Sequence, residues 1–312
     1  MTVKIIKQYP YKSTGREPHV FRAEGPQGLL GEHAALVDSA LNPGESIHYL
    51  LYTPIREAGM SPFGIHAEPA SHALAVTDHR FLLSKDRHIN TIAPTIREIP
   101  YSRVIGVEIG NALLLGWLAI HFIENGQPAC ASMFYTARGS HHFERAICEF
   151  RNMYGKSQNY IPAEGTTWAD VWEKTPKMQS DIIKSLILKK ENPLLLLRSN
   201  EIWGAQKRGK KKILLAPNSV LLVTDWGFIH AVDEQPVSPQ MLSYGVNVRC
   251  IPLDALYSIE HCEKEEYGIC RHILRLQTGI HPAIMNTEIR FDDRANDGVA
   301  EFVRAIQSMQ GK

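Results

Sequence analysis

Lys207-Arg208-Gly209-Lys210-Lys211-Lys212 sets five cations around one glycine, the densest charge in this 312-residue chain. Each cation near an anionic surface contributes about 1 kcal/mol, so the run suffices for weak, salt-sensitive attachment to lipid headgroups, nucleic acid or an acidic protein. The same composition equally suits a solvated hairpin tip. His261-Cys262 and Cys270-x-His272 bring two imidazoles and two thiols close in sequence, a donor set suited to zinc. Folding residues 257–263 back on 269–275 would place Cys262 opposite Cys270. Adjacent strand residues face opposite ways, however, so His261 and Cys262 cannot both turn to one site. The expectation is therefore no metal and ordinary buried cysteines, with a cross-strand thiol pair as the alternative. His141-His142 with Glu144 has the composition of an acid–base cluster, but neighbouring helical residues diverge around the axis. An exposed helix start, with Glu144 favourable in the first turn, is the simpler reading. Asp78-His79-Arg80 reads as turn or bulge chemistry.

Motifs that carry a reaction are missing. There is no Gly-x-Ser-x-Gly elbow, no His-Glu-x-x-His, no phosphate-cradling Gly-x-x-x-x-Gly-Lys and no Gly-x-Gly-x-x-Gly after a strand. The carboxylates are scattered, so neither a catalytic residue nor a cofactor is expected. A net charge of +1 provides no global attraction to polyanions, and any such partner must meet a local patch. Five cysteines without regular spacing fit a reducing cytoplasm better than a disulfide framework. The first residues lack the apolar run of a secretory signal, and the apolar stretch from Ala112 to Ile120 is too short to span a bilayer. A soluble, cytoplasmic chain is expected.

The elements that must position these residues occur twice. Leu74-Ala75-Val76-Thr77-Asp78 returns as Leu221-Leu222-Val223-Thr224-Asp225, and Ile99-Pro100 running to Val107-Glu108 returns as Ile251-Pro252 running to Ile259-Glu260. An offset of roughly 150 residues is one domain length, which indicates two copies of a fold and not a short-repeat solenoid. Each copy opens with a helix, over 28–41 and 178–190, stopped by Asn42-Pro43 and Asn192-Pro193. Several short strands follow, with Asn125-Gly126 as a two-residue hairpin signal. Each closes on an amphipathic helix, with stripes Phe143, Ala146, Ile147, Phe150, Met153 and Val299, Phe302, Val303, Ile306, Met309. Ser140 is available as the N-cap of the first. The organisation expected is a loosely held arm over 1–27, a domain over 28–154, a linker over 155–177 and a domain over 178–312. What repeats is expected to be turns, strand cores and the helix stripe, while charged and liganding residues differ.

Leu41-Asn42-Pro43-Gly44-Glu45-Ser46-Ile47, Val76-Thr77-Asp78-His79-Arg80 and the Ile99-Pro100 strand running to Glu108 together resemble bacterial pleckstrin-homology-like (PH-like) domains. The second copy keeps Val223-Thr224-Asp225 and Ile251-Pro252 to Glu260, but departs at Glu191-Asn192-Pro193 and has Gly227 where the first has Arg80. The resemblance implies a mainly β (α+β) chain of two tandem PH-like domains. Each would be a curved antiparallel sheet or partial barrel capped by its C-terminal helix, with a further helix in front. In lipid-binding pleckstrin-homology domains the loop corresponding to Lys207–Lys212 meets anionic headgroups. Its counterpart in the first copy mixes Arg56 with Glu57 and Glu68, so anion binding through Lys207, Arg208, Lys210, Lys211 and Lys212 would belong to the second copy.

These motifs are packing and turn motifs and bring no catalytic residues with them. The function expected is non-catalytic: an intracellular binding or scaffold protein acting through protein contacts or self-assembly, as a homo-oligomer. The alternative is a peripheral binder of anionic lipid or another polyanion, with an enzyme of unknown type as a third class. Trp117, Trp168, Trp172, Trp203 and Trp226 are candidate anchors between domains or subunits, foremost Trp168, Trp172 and Trp203.

Overall fold

The structure is a computed structural model that describes residues 19–55, 59–61, 64–67, 69–87, 92–155, 167–205, 212–234, 245–266, 269–280, 283–292 and 296–310. The first half runs β1 (Phe21–Arg22), α1 (His33–Ala40), β2 (Ile47–Thr53), β3 (Gly59–Met60), β4 (His66–Ala67), β5 (Ser71–Thr77), β6 (Arg80–Asp86), β7 (Thr95–Pro100), β8 (Val104–Ala112), β9 (Leu115–Glu124), β10 (Gln127–Thr136) and α2 (Ser140–Tyr154). Then come α3 (Trp168–Lys174), α4 (Lys177–Leu186), β11 (Pro193–Ser199), β12 (Ile202–Ala205), β13 (Lys212–Ala216), β14 (Ser219–Thr224), β15 (Gly227–Asp233) and β16 (Gly245–Pro252). The chain closes with β17 (Leu256–Glu266), β18 (Ile269–Ile280), β19 (Ala283–Asp292) and α5 (Asn296–Gln310).

The local rules that write these elements are visible residue by residue. Asn125 and Gly126 take φ of 52° and 73°, the left-handed pair that a two-residue turn between β9 and β10 requires. The two Val-Thr-Asp segments, read as strands with an internal turn or bulge, are hairpin turns: β5 ends at Thr77 and β6 starts at Arg80, and the second copy repeats this at Thr224 and Gly227. In both, the threonine Oγ1 accepts the N–H of the residue three on and lies 2.9 Å and 3.2 Å from that residue's carbonyl oxygen. In both, the following aspartate accepts a backbone N–H from the entry loop, Ser46 to Asp78 and Asn192 to Asp225. The repeated triplet is a device that ties the entry loop to the first hairpin.

Helix α2 buries Phe143, Ala146, Ile147 and Phe150, and α5 buries Val299, Phe302, Val303 and Ile306, as their stripes predict. Ser140 is not the cap of α2. It is the first helical residue behind Gly139, which makes no side-chain capping bond. Gly139 is small for packing: a Cβ there would lie 2.7 Å from Val20. The described part of the arm is accordingly held, with Val20 and Ala23 buried and β1 paired to β2.

Among the described residues every strand pair is antiparallel, and none of the sheets closes. Five strands run in the order β1-β2-β5-β6-β7, and three in the order β17-β18-β19. The largest sheet has seven strands, β10-β9-β8-β16-β15-β14-β11, and so takes three strands from the first copy and four from the second. Its seam is β8 against β16, with Glu108 opposite Arg249 and Val107 opposite Cys250. The cores follow the sheets. One apolar cluster runs from Leu51, Phe81 and Phe150 into Ile183, Leu222, Trp226 and Val248, across the copies. A second, of Leu194, Phe228, Leu274 and Phe302, belongs to the second copy. The copies therefore share a sheet and a core, and the segment expected as a linker carries α3, whose Val171 is buried in the shared cluster.

Candidate functional site

Two polar constellations sit where the copies meet. The first grows from the entry loops. Glu45 follows α1, accepts the Asn42 N–H and pairs with Arg80. Hydrogen bonds from Arg80 and Thr77 outweigh burial and hold its carboxyl down at about 2. The counterpart is Glu191, which accepts the Leu188 N–H at 2.9 Å and the Thr224 hydroxyl at 2.5 Å. This alignment corrects the Asn-Pro correspondence: α4 stops at Leu186 as α1 stops at Ala40, and the glutamate is kept, not replaced.

Arg80, however, has no second-copy equivalent. Gly227 stands there, and a Cβ would fall 2.2 Å from the Ile251 carbonyl oxygen. The guanidinium arrives instead from the other copy. Arg151 of α2 donates Nη2 to Glu191 Oε1 at 2.5 Å and Nη1 to the Leu186 carbonyl. Arg151 and Glu191 are 0% and 1% exposed. Burial opposes the charge, yet Glu191 raises the Arg151 pKa. Trp226 covers the ion pair, its ring 4.4 Å from the guanidinium and its Nε1 donating to the Arg151 carbonyl. Tyr154 donates to Asp254, and Trp168 donates to the Glu191 carbonyl, completing the lock.

The second constellation is a row across the seven-stranded sheet. Glu108 on β8 accepts from Arg249 Nε at 3.0 Å and from Arg249 Nη2, while His121 Nε2 lies 3.1 Å from the same carboxylate. Arg249 also donates to Thr287 of β19 at 2.9 Å, tying the three-stranded sheet to the seam. Burial would raise the Glu108 pKa, but the facing Arg249 and His121 hold it at about 2. His230, opposite Arg249 on β15, is pushed down to about 4 by burial and by that cation. Its Nε2 is buried with no hydrogen-bond partner among the described residues.

The residues singled out by sequence fare unequally. Lys207, Arg208, Lys210 and Lys211 lie outside the described residues; Lys212 opens β13, but its side chain does too. Trp168 and Trp172 stack at 5.0 Å on α3, with Lys184 Nζ 5.0 Å from the Trp172 ring. Trp117 and Trp226 are the tryptophans that bond across the copies, Trp117 through Nε1 to Asn247 of β16. Trp203 pairs with Leu214 in the β12–β13 hairpin, and its buried Nε1 has no hydrogen-bond partner among the described residues. Cys262 and Cys270 are not opposite one another: the register sets Cys262 against Ile273 and Cys270 against Glu265, and Cys262 is free. What does converge is His261, Glu263 and His272. His142 Nδ1 contacts the Tyr49 hydroxyl at 3.0 Å, within the first copy.

The seam residues were missed because their signal is a pair of pairs. Arg97-x-Ile-Pro and Arg249-x-Ile-Pro each precede a glutamate by eleven residues, Glu108 and Glu260. Within the chain Glu108 meets Arg249. Arg97 stays on β7 at the edge of the five-stranded sheet, and Glu260 on β17 at the edge of the three-stranded sheet. They are the halves left out of the seam, 47% and 51% exposed: Arg97 reaches Glu124 at 3.9 Å and lies 5.8 Å from the Phe122 ring, and Glu260 pairs with Arg275 opposite it on β18 at 3.5 Å. Their strands are exposed where the seam strands are buried. Tyr257 is 50% exposed where its counterpart Ile105 is 2% exposed, and Glu98 is exposed where Cys250 is fully buried. Comparison with known proteins finds no matching family model, no matching curated protein and no matching solved structure.

Proposed function

We propose that each half is a PH-like unit and that the chain is a non-catalytic scaffold assembling head to tail with copies of itself. Each contact between chains repeats the internal one, with β17 of one chain pairing with β7 of the next. The observation that carries this reading is Arg97 and Glu260, both exposed on sheet-edge strands, in the positions of the matched Arg249 and Glu108. Transferring the β8–β16 register places Arg97 opposite Glu260 and Ile96 opposite His261. Strand addition would satisfy two rows of open backbone groups, and opposite charges directly across a pair favour it. Because the two edges differ, the contact is heterologous and does not close on itself as a two-fold dimer does.

Light scattering behind size exclusion tests it. The wild-type chain is expected to show a mass above the 35.1 kDa of one chain, rising with concentration and falling with salt. Arg97→Glu alone and Glu260→Arg alone should each be monomeric. Mixed together, each supplies the edge the other needs, and assembly should return. A wild-type chain that stays monomeric at high concentration and low salt, or an equimolar mixture that stays monomeric, would sink the reading.

A further inference from the structure

We propose that His261, Glu263 and His272 bind one divalent transition-metal ion, with zinc the ion their donor set suits best. The inference goes beyond self-assembly and does not rest on it. Alternation along β17 puts His261 and Glu263 on one face, and the β17–β18 register sets His272 directly opposite Glu263. His261 Nε2 and His272 Nδ1 are 3.0 Å apart, and His272 Nδ1 is 3.7 Å from Glu263 Oε1. All three donor atoms lie within 4.8 Å of one another. Tetrahedral zinc with bonds of about 2.0–2.1 Å needs donors about 3.3 Å apart, so small side-chain movements would seat the ion.

The surroundings match a shallow metal site. His272 is buried, His261 is half-buried, and Glu263 is exposed, so an ion could enter from the Glu263 side and keep a water there. Further along the same face Ile259, Leu274 and Leu276 are buried, which gives the imidazoles an apolar floor. Two imidazoles with one carboxylate suit zinc and the neighbouring first-row ions better than calcium or magnesium, which prefer oxygen donors. Cys262 points its Sγ at the Ile273 carbonyl on the other face and takes no part.

The test uses the full chain carrying Arg97→Glu, so that the state of assembly does not enter. After chelator treatment and dialysis it is titrated with zinc against a chromophoric chelator, and separately with cobalt(II) followed by absorption. One equivalent of zinc is expected, with a rise in thermal midpoint on binding. His261→Ala, at a half-buried position, and Glu263→Gln, at an exposed one, should each weaken zinc by more than the about 10–100-fold that a merely supporting group is worth. Cys262→Ser should leave it unchanged. Variants that fold by circular dichroism and still bind as tightly as the parent would overturn the site. A thiolate-to-cobalt charge-transfer band, or no stoichiometric zinc binding, would do the same.

Discussion

Arg151→Met is expected to destabilise the protein by about 3–5 kcal/mol, the cost of removing one partner from a fully buried ion pair. The loss follows from what remains. Glu191 would keep the Leu188 N–H and the Thr224 hydroxyl, but its charge would have no cation among the groups now bonded to it. The Leu186 carbonyl would lose its donor, and Trp226 the guanidinium over its ring. Glu191→Gln in the same chain should recover much of the loss, because a neutral amide removes the orphaned charge. Urea denaturation reads both variants. Since α2 belongs to the first copy and Glu191 to the second, weakening this pair should also loosen one half from the other. A single cooperative transition in the wild type should broaden in Arg151→Met, with a lower slope. A loss below about 1 kcal/mol would show that solvent or another cation reaches Glu191, and that the pair is not the lock between the copies.

The parts of the fold that could be read from sequence are those governed by local chemistry. Thr77-Asp78 and Thr224-Asp225 are legible because each threonine engages the residue three along and so closes its own turn. Asn125-Gly126 and the two closing stripes are legible for the same reason. The shared sheet is not, since nothing local to β8 marks β16 as its neighbour; only the doubled Arg and Glu spacing points to it. Repetition also misled. Asn42-Pro43 and Asn192-Pro193 look equivalent but are not, because Glu45 and Glu191 are the true counterparts, and aligning the prolines hid the conserved carboxylate between the copies. The idea that charged residues do not repeat fails for the same cause. The His261, Cys262, Cys270 and His272 set fails because Cys262 faces away from His261, and nothing in the sequence marks Glu263 as the third partner. What alternation could not supply was register, and register brings His272 to Glu263.

Glu108→Gln is expected to cost about 3 kcal/mol at neutral pH and to remove one of the two largest carboxylate contributions to the protein's acid sensitivity, the other being Glu45. In the folded chain Arg249 and His121 hold the Glu108 carboxyl at about 2, from an ordinary value of 4.5. A depressed carboxyl contributes stability that is complete above its unfolded value and is lost as pH falls towards its folded value. The window is therefore from about pH 4.5 down to about 2, and the shift is worth about 3 kcal/mol. His230 acts earlier. Burial lowers it from 6.5 to about 4, so the unfolded chain takes up a proton that the folded chain refuses, and stability falls as pH drops through that interval. Chemical denaturation at stepped pH should thus show two limbs, a first between about 6.5 and 4 and a second below 4.5. His230→Gln should flatten the first and spare the second. Glu108→Gln should begin lower and roughly halve the second, which Glu45 still supplies, with Arg249 left to Thr287 and solvent at the seam. A second limb that survives unchanged in Glu108→Gln would assign the acid response to other carboxylates. Glu45, held at about 2 by Arg80 within the first copy alone, would then be the first to change.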